Sequence, residues 1–422
     1  MRALLEASFH AAVAAADPAR ILAPALPAPP TGDTFVAAVG KAAASMAAAL
    51  EAAWPEGAAL DGIALTRYRH AVPTRRIRVI EAGHPVPDAA GEAGARAILE
   101  RAATLGADDL LIALISGGGS SLLSLPAKDV SMADLKAVTA QLLRSGAPIQ
   151  DINTVRKHLS TIQGGRLAAT CRAPVRALII SDVTGDAPTH IASGPCAPDP
   201  TTYADALAVL AKHGVTPPVA IGEILVRGAA GGVPETPKPG DPALAHAENR
   251  VIATAHRSLE AAAETFRAAG VTPAILGDTV TGEAAEVAKV MAALVREILA
   301  YRAPFAPPVA LLSGGECTVT IGTDGGRGGR CAEFLLALAI ELDGVAGVRA
   351  LAADTDGIDG SEDNAGAIFG PETFARAAAL GLDARRHLAA HDSYGFFSAL
   401  GDLVVTGPTY TNVNDYRAIL VG

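Results

Sequence analysis

Aromatic residues make up only 4% of this 422-residue chain, although half of it is hydrophobic. Its core must therefore be aliphatic, built from Ala, Leu, Val and Ile, small side chains that let helices pack closely on a sheet. Cysteine is scarce as well: Cys171, Cys196, Cys317 and Cys331 stand apart, with no C-x-x-C pair. That spacing argues against a disulfide framework or a zinc site and for a reducing compartment. Basic runs are missing. With a net charge of −10 and scattered Lys and Arg, the chain lacks the clustered footprint of a nucleic-acid binder. No apolar run approaches the roughly 18 residues of a membrane span. The first residues, MRALLEASFHAAVAAADPARIL, have helical apolar spacing broken by Glu6 and His10, unlike a signal peptide. The expectation is a cytoplasmic protein of two or three domains, monomeric or homodimeric, with small-molecule ligands and no membrane partner.

What the sequence does have is alternation. Short runs rich in Ile, Val and Leu occur at 34–40, 62–66, 77–83, 109–117 and 176–183, each ended by Gly or a polar turn. Such runs suit strands buried on both faces. The segments between them, such as AGEAGARAILERAATLG at 90–106, carry apolar residues at helical spacing. This predicts an α/β fold with a doubly wound, Rossmann-like parallel sheet in the N-terminal part. The Gly- and Pro-rich stretch 228–243 reads as a boundary, giving expected domains at 1–235 and 245–422. Beyond it a second α/β domain is predicted, with strands at 249–255, 271–277, 308–322 and 349–360 and helices near 257–269 and 282–301.

Ligands of open parallel sheets bind beyond the carboxyl ends of the strands, so the loops leaving these runs matter most. Gly40 permits a tight turn after the first run, and Lys41 then opens a helix, where a cation opposes the helix dipole. It is a candidate ligand for phosphate or carboxylate. Ser116, Gly117, Gly118, Gly119, Ser120 and Ser121 follow the 109–115 run and offer bare amides and hydroxyls to an anion. Neither G-x-x-x-x-G-K-[ST] nor G-x-G-x-x-G occurs in the chain. Arg156, Lys157 and His158 are consecutive after Asn153, so a helix points them in different directions and at most one or two reach a common site. Asp182 and Asp186 leave the 176–181 run with the spacing of a Mg²⁺ loop, and the turn Ala192-Ser193-Gly194-Pro195 follows at the same edge. Later come Gly314, Gly315 and Glu316, and a glycine loop with Gly328 and Gly329 that ends at Arg330, whose guanidinium suits carboxylate or phosphate. That loop is expected to be mobile and open to anions. Asp354 and Asp356 form an acidic turn without the glutamate of a calcium loop, and Thr409 and Asn412 are polar groups near the C-terminus. Glycine loops, isolated cations and paired aspartates together point to phosphoryl transfer, which needs positioning and charge neutralisation.

In this order the loops resemble those of the glycerate 2-kinases, the family whose C-terminal part is called the MOFRL domain. The resemblance runs from VGKAA at 39–43 to TGPTYTNVND at 406–415. It includes NTVRKHLSTIQGGRLA, LIISDVTGD, IASGP, LSGGECTV, GGRGGR and ADTDGIDG. It implies a two-domain enzyme with its active site in the interdomain cleft, transferring the γ-phosphate of ATP to the 2-hydroxyl of D-glycerate with Mg²⁺. Lys41 and Arg330 match positions assigned to catalysis. Asp182 or Asp186 would meet Mg²⁺ or accept the hydroxyl proton. The acceptor's carboxylate would rest on Arg330 first and Arg156 second. Cys331-Ala332 replaces the usual Asn-Gln after the arginine, and Gln163 replaces a usual Lys, removing a charge from an expected contact. A hydroxypyruvate reductase using NAD(P)H and a non-catalytic sensor of sugar acids or nucleotides are the competing readings.

Overall fold

A computed structural model describes residues 1–321 and 325–422. The last position of the expected 308–322 strand pair, Gly322, lies outside the described residues. The chain falls into two compact units, Pro18–Ile252 and Ala253–Gly422, the latter including Met1–Asp17.

The first unit holds β1 (Thr34–Val39), β2 (Asp61–Arg67), β3 (Ile77–Ala82), β4 (Leu110–Ile115), β5 (Val175–Ile180) and β6 (Ala247–Ala253). Their order in the sheet is β3-β2-β1-β4-β5-β6, with the β3–β2, β2–β1, β1–β4 and β4–β5 pairs parallel. This is the doubly wound arrangement, and its order reverses between β1 and β4. All six positions of β1 and of β4 are buried, which is why they read as unbroken apolar runs. The few aromatics are replaced by close packing. A Cβ on Gly94, in the helix Ala89–Thr104, would lie 2.3 Å from Leu65 Cδ2. Glycine there lets the helix settle on β2.

The 228–243 stretch is not a linker between the units. Thr236 is buried, and the Pro237 carbonyl accepts from the Asp199 amide at 2.8 Å. The chain then returns to add β6 to the first sheet. At the other end, the helix Arg2–Ala14 buries Leu5, Phe9 and Ala12 against Leu259, Ala263 and Phe266 of the second unit. The observed division therefore differs from the expected 1–235 and 245–422 at both ends. An amphipathic first helix follows the best apolar surface, not chain proximity.

The second unit holds β7 (Thr272–Gly277), β8 (Gly282–Glu283), β9 (Val309–Gly315), β10 (Cys317–Thr318), β11 (Val348–Asp354), β12 (Gly366–Phe369), β13 (Leu403–Val404) and β14 (Asp415–Val421). Six of these form a sheet ordered β13-β12-β11-β14-β9-β7. The β7–β9 pair is parallel, whereas β9–β14, β14–β11, β11–β12 and β12–β13 are antiparallel. Alternate residues serve opposite faces. Ala418 and Leu420 pack with the helix Ala255–Ala268, and Ile419 and Val421 with Ala284–Tyr301 and Arg330–Leu342. Among the described residues no helix is long and apolar enough to cross a membrane.

Candidate active site

In the first unit, the loops leaving β1 and β4 meet where the strand order reverses. Gly40 has φ 118°, and a Cβ there would stand 2.3 Å from Ser116 Oγ, so glycine is required. The Lys41 amide donates to the Gly117 carbonyl at 2.8 Å, and the Ala42 amide donates to Ser116 Oγ at 3.0 Å. Gly118, at φ 77°, turns the chain into the short helix Gly119–Leu122. A Cβ on Gly118 would lie 2.8 Å from His84 Nε2 and 3.3 Å from Lys41 Cγ. Lys41 and His84 thus flank the glycine-rich turn. His84 was not legible as a site residue. Its signal is its position in Gly83-His84-Pro85, immediately after β3.

Ser120 continues this arrangement. Its hydroxyl meets Ser193 Oγ at 2.8 Å, and Ser193 donates to Asn153 Oδ1 at 3.2 Å. Asn153 Nδ2 donates to the His190 carbonyl at 3.4 Å. Ala192, Ser193 and Gly194 are all left-handed, with φ of 51°, 58° and 56°. Two adjacent non-glycine residues in that region store strain of about 1–3 kcal/mol each, a feature common where a site is held ready. Gln163 is buried and donates to the carbonyls of Ser120 at 2.9 Å and Leu123 at 3.0 Å. It supports the turn from within.

Arg156, Lys157 and His158 end the helix Ile149–His158 and diverge as the helical period requires. Lys157 pairs with Asp199 at 2.6 Å, both fully buried. The His158 Nδ1 faces the Thr154 carbonyl at 2.8 Å and must donate to it, because a carbonyl only accepts. Burial pushes the His158 pKa down. Arg156 has no hydrogen-bond or ion-pair partner among the described residues, and its Nε is shut off from water. Burial pushes its pKa down to about 10, so it remains cationic at neutral pH.

Beyond β5, Asp182 and Asp186 are partly exposed in a turn closed by the Asp186 amide on the Val183 carbonyl at 3.2 Å. The donors of this loop, Ser181, Asp182, Thr184 and Asp186, are all oxygen and suit Mg²⁺. Among the described residues no group of three or more His, Cys, Asp or Glu could hold a metal. A cation held here would complete its shell with phosphate oxygens and water.

The second unit gathers the remaining predicted residues around Arg330. Its three guanidinium nitrogens reach Asp415 at 2.7 Å, Asp354 at 2.8 Å and Glu316 at 2.8 Å. Burial disfavours its charge, but these carboxylates outweigh it and hold the pKa well above the ordinary arginine value. Asp415 and Asp354 are buried, whereas the Glu316 side chain is 55% exposed. Arg417 also binds Asp415, at 2.6 Å, and donates to the Gly314 carbonyl at 3.2 Å. Gly315 has φ 108° and approaches the Val280 backbone too closely for a Cβ. Asp356 accepts from the Ile358 amide at 2.9 Å, and its carbonyl accepts from the Thr409 amide at 3.1 Å. Asn412 Oδ1 lies 3.4 Å from the Asn414 amide that donates to it.

Gly328 and Gly329 precede the helix Arg330–Leu342, but its first amides are already engaged. Cys331 and Ala332 donate to the buried Asp359 at 3.0 and 2.8 Å. A Cβ on Gly329 would stand 2.2 Å from Asp359 Oδ1. Burial pushes the Asp359 pKa up to about 7 against these two hydrogen bonds. The predicted residues thus form two groups. Lys41, Ser116–Ser120 and Asn153 converge in the first unit, with Arg156 on the same helix as Asn153. Gly314–Glu316, Gly328–Arg330, Asp354, Asp356, Thr409 and Asn412 lie in the second.

Residues 4–226 match a domain of unknown function, DUF4147, and residues 309–415 match the MOFRL family. A protein of Agrobacterium vitis named "Putative hydroxypyruvate reductase" is 51% identical, covering 100% of this chain and 94% of its own length. A glycerate 2-kinase of Pyrococcus horikoshii is 40% identical, covering 92% of this chain and 88% of its own. The crystal structure of a glycerate kinase from Thermotoga maritima superposes with a TM-score of 0.86 at 36% identity, covering 99% of both chains.

Proposed function

This chain belongs to the glycerate kinase family, the MOFRL-bearing group, and from that membership we propose that it transfers the γ-phosphoryl group of ATP to the 2-hydroxyl of D-glycerate. The observation that carries the reading is Lys41 beside the Gly117–Gly119 turn, at the point where the sheet order reverses. Amides of that turn bind phosphate oxygens, and Lys41 neutralises the charge on the transferring group. A new bond forms between the glycerate 2-oxygen and the γ-phosphorus as the bond from that phosphorus to the β–γ bridging oxygen breaks. The hydroxyl proton passes to Asp182 or Asp186, and ADP leaves. Asp182 and Asp186 of this loop would hold Mg²⁺, which would supply charge neutralisation for the phosphates when bound. Arg330, in the second unit, is the other cation that the family resemblance assigns to catalysis; its Nη1 pairs with the exposed Glu316, a contact of small worth.

A second reading, reduction of hydroxypyruvate with a nicotinamide cofactor, is favoured by the name of the Agrobacterium relative and by the dinucleotide-type strand order. The loop after β1 reads Gly40-Lys41-Ala42-Ala43, without the G-x-G-x-x-G that brings a pyrophosphate onto the helix. Incubation with ATP, Mg²⁺ and D-glycerate, followed by enolase without a mutase, tests the proposal. An absorbance rise from the enolase product is expected. Absence of any phosphorylated product, or NADH oxidation by hydroxypyruvate instead, would sink it.

A further inference from the structure

We infer that Arg156 holds the carboxylate of the acceptor and so sets the preference for an acid over an uncharged polyol, an assignment that rests on the kinase reading. A partly buried guanidinium normally finds a counter-charge. The neighbouring Lys157 has Asp199, and the next residue, His158, has the Thr154 carbonyl. Arg156 has neither among the described residues, and its Nε makes no contact with water. An anion from outside the chain is the group that completes it.

Placement tells which anion. Arg156 lies three residues beyond Asn153, on the same face of the helix Ile149–His158. Side chains of a helix lean toward its N-terminus, which carries the guanidinium back toward the turn of Asn153. Asn153 is joined through Ser193 to Ser120, at the end of the glycine-rich turn beside Lys41. One helical turn is about 5.4 Å, well within an arginine's reach. The bare amides at 117–119 suit the phosphates, which leaves Arg156 for a single carboxylate bound by two parallel N–H donors.

Arg330 is poorly placed for this role on charge alone. With Arg417 it shares Glu316, Asp354 and Asp415, so two cations already face three anions. A further carboxylate would enter a negative cluster. At Arg156 no described residue compensates the charge.

The test compares wild type with Arg156→Lys, Arg156→Gln and Arg156→Met in the full chain, using D-glycerate and the uncharged D-glyceraldehyde as acceptors. Arg156→Gln is expected to raise KM for D-glycerate by at least about 100-fold while leaving KM for ATP within about twofold. The wild-type preference for glycerate over glyceraldehyde should nearly vanish, and Arg156→Lys should recover part of it. Without substrate, Arg156→Met should melt at or above the wild-type temperature, because an unpaired buried charge is removed. An unchanged KM for glycerate overturns the assignment, and so does a rise confined to the KM for ATP. If wild type does not phosphorylate glycerate, calorimetric titration with D-glycerate separates the two claims. Binding that Arg156→Gln abolishes upholds Arg156 while the kinase reading fails; binding that survives, or none to wild type, rejects it.

Discussion

The hydroxyls of Ser120 and Ser193 stand 2.8 Å apart and join the glycine-rich turn after β4 to a left-handed loop 73 residues further along the chain. That loop presses on the turn from the other side as well, because a Cβ on Gly119 would lie 2.5 Å from Ala192 Cβ. Gly119→Ala must therefore push the two apart. The expected result is a loss of about 1–3 kcal/mol in urea unfolding. A fall in kcat/KM greater than about tenfold should accompany it, since the anion-binding amides move with the turn.

Lys41 and Arg330 should separate in their effect on stability. Lys41→Met is expected to lower kcat/KM by at least about 100-fold, or ~2.7 kcal/mol, with little change in melting temperature. Arg330→Met should abolish turnover and also destabilise the fold by on the order of 2–4 kcal/mol, because Asp415 and Asp354 lose a partner while buried. Steady-state kinetics and thermal melts on the same preparations distinguish the two. Near-wild-type turnover in either variant removes that residue from the catalytic set.

The Lys157–Asp199 pair has both side chains fully buried. Asp199→Asn leaves an uncompensated ammonium and Lys157→Met an uncompensated carboxylate, so each should cost about 3–5 kcal/mol. The double variant should recover a large part of that loss. Urea unfolding of all four proteins gives the coupling directly, and additive single losses would contradict a buried pair.

Asp359 gives a pH signature. Its folded pKa of about 7 lies above the ordinary aspartate value of 3.8, so the folded chain binds this proton more tightly than the unfolded chain. The stability from that proton is full below the ordinary value and is lost as pH rises through the folded one. Unfolding free energy should therefore decline between about pH 4 and pH 7, and Asp359→Asn should remove that part of the slope. A slope identical in the two proteins would show that Asp359 is ionised throughout.

The strands and their loops were legible because their signals are local. An apolar run such as Leu110–Ile115 followed by Ser116-Gly117-Gly118-Gly119 announces a buried strand and an anion-friendly turn within ten residues. The sequence alone determined the order of these elements, the aliphatic core and the loops that carry polar chemistry. Tertiary structure decided which charges are satisfied. Asp199 lies 42 residues from Lys157, and Asp415 lies 85 from Arg330. No periodicity foretells that Lys157 and Arg330 find carboxylates while Arg156 finds none among the described residues. It decided likewise that the helix Arg2–Ala14 docks on Ala255–Ala268, and that β6 crosses the Gly- and Pro-rich stretch to rejoin the first sheet. The physical reason is range. Backbone propensity acts over one turn or one strand, whereas the pairing of buried charges and apolar faces depends on which distant surfaces the completed fold brings into contact.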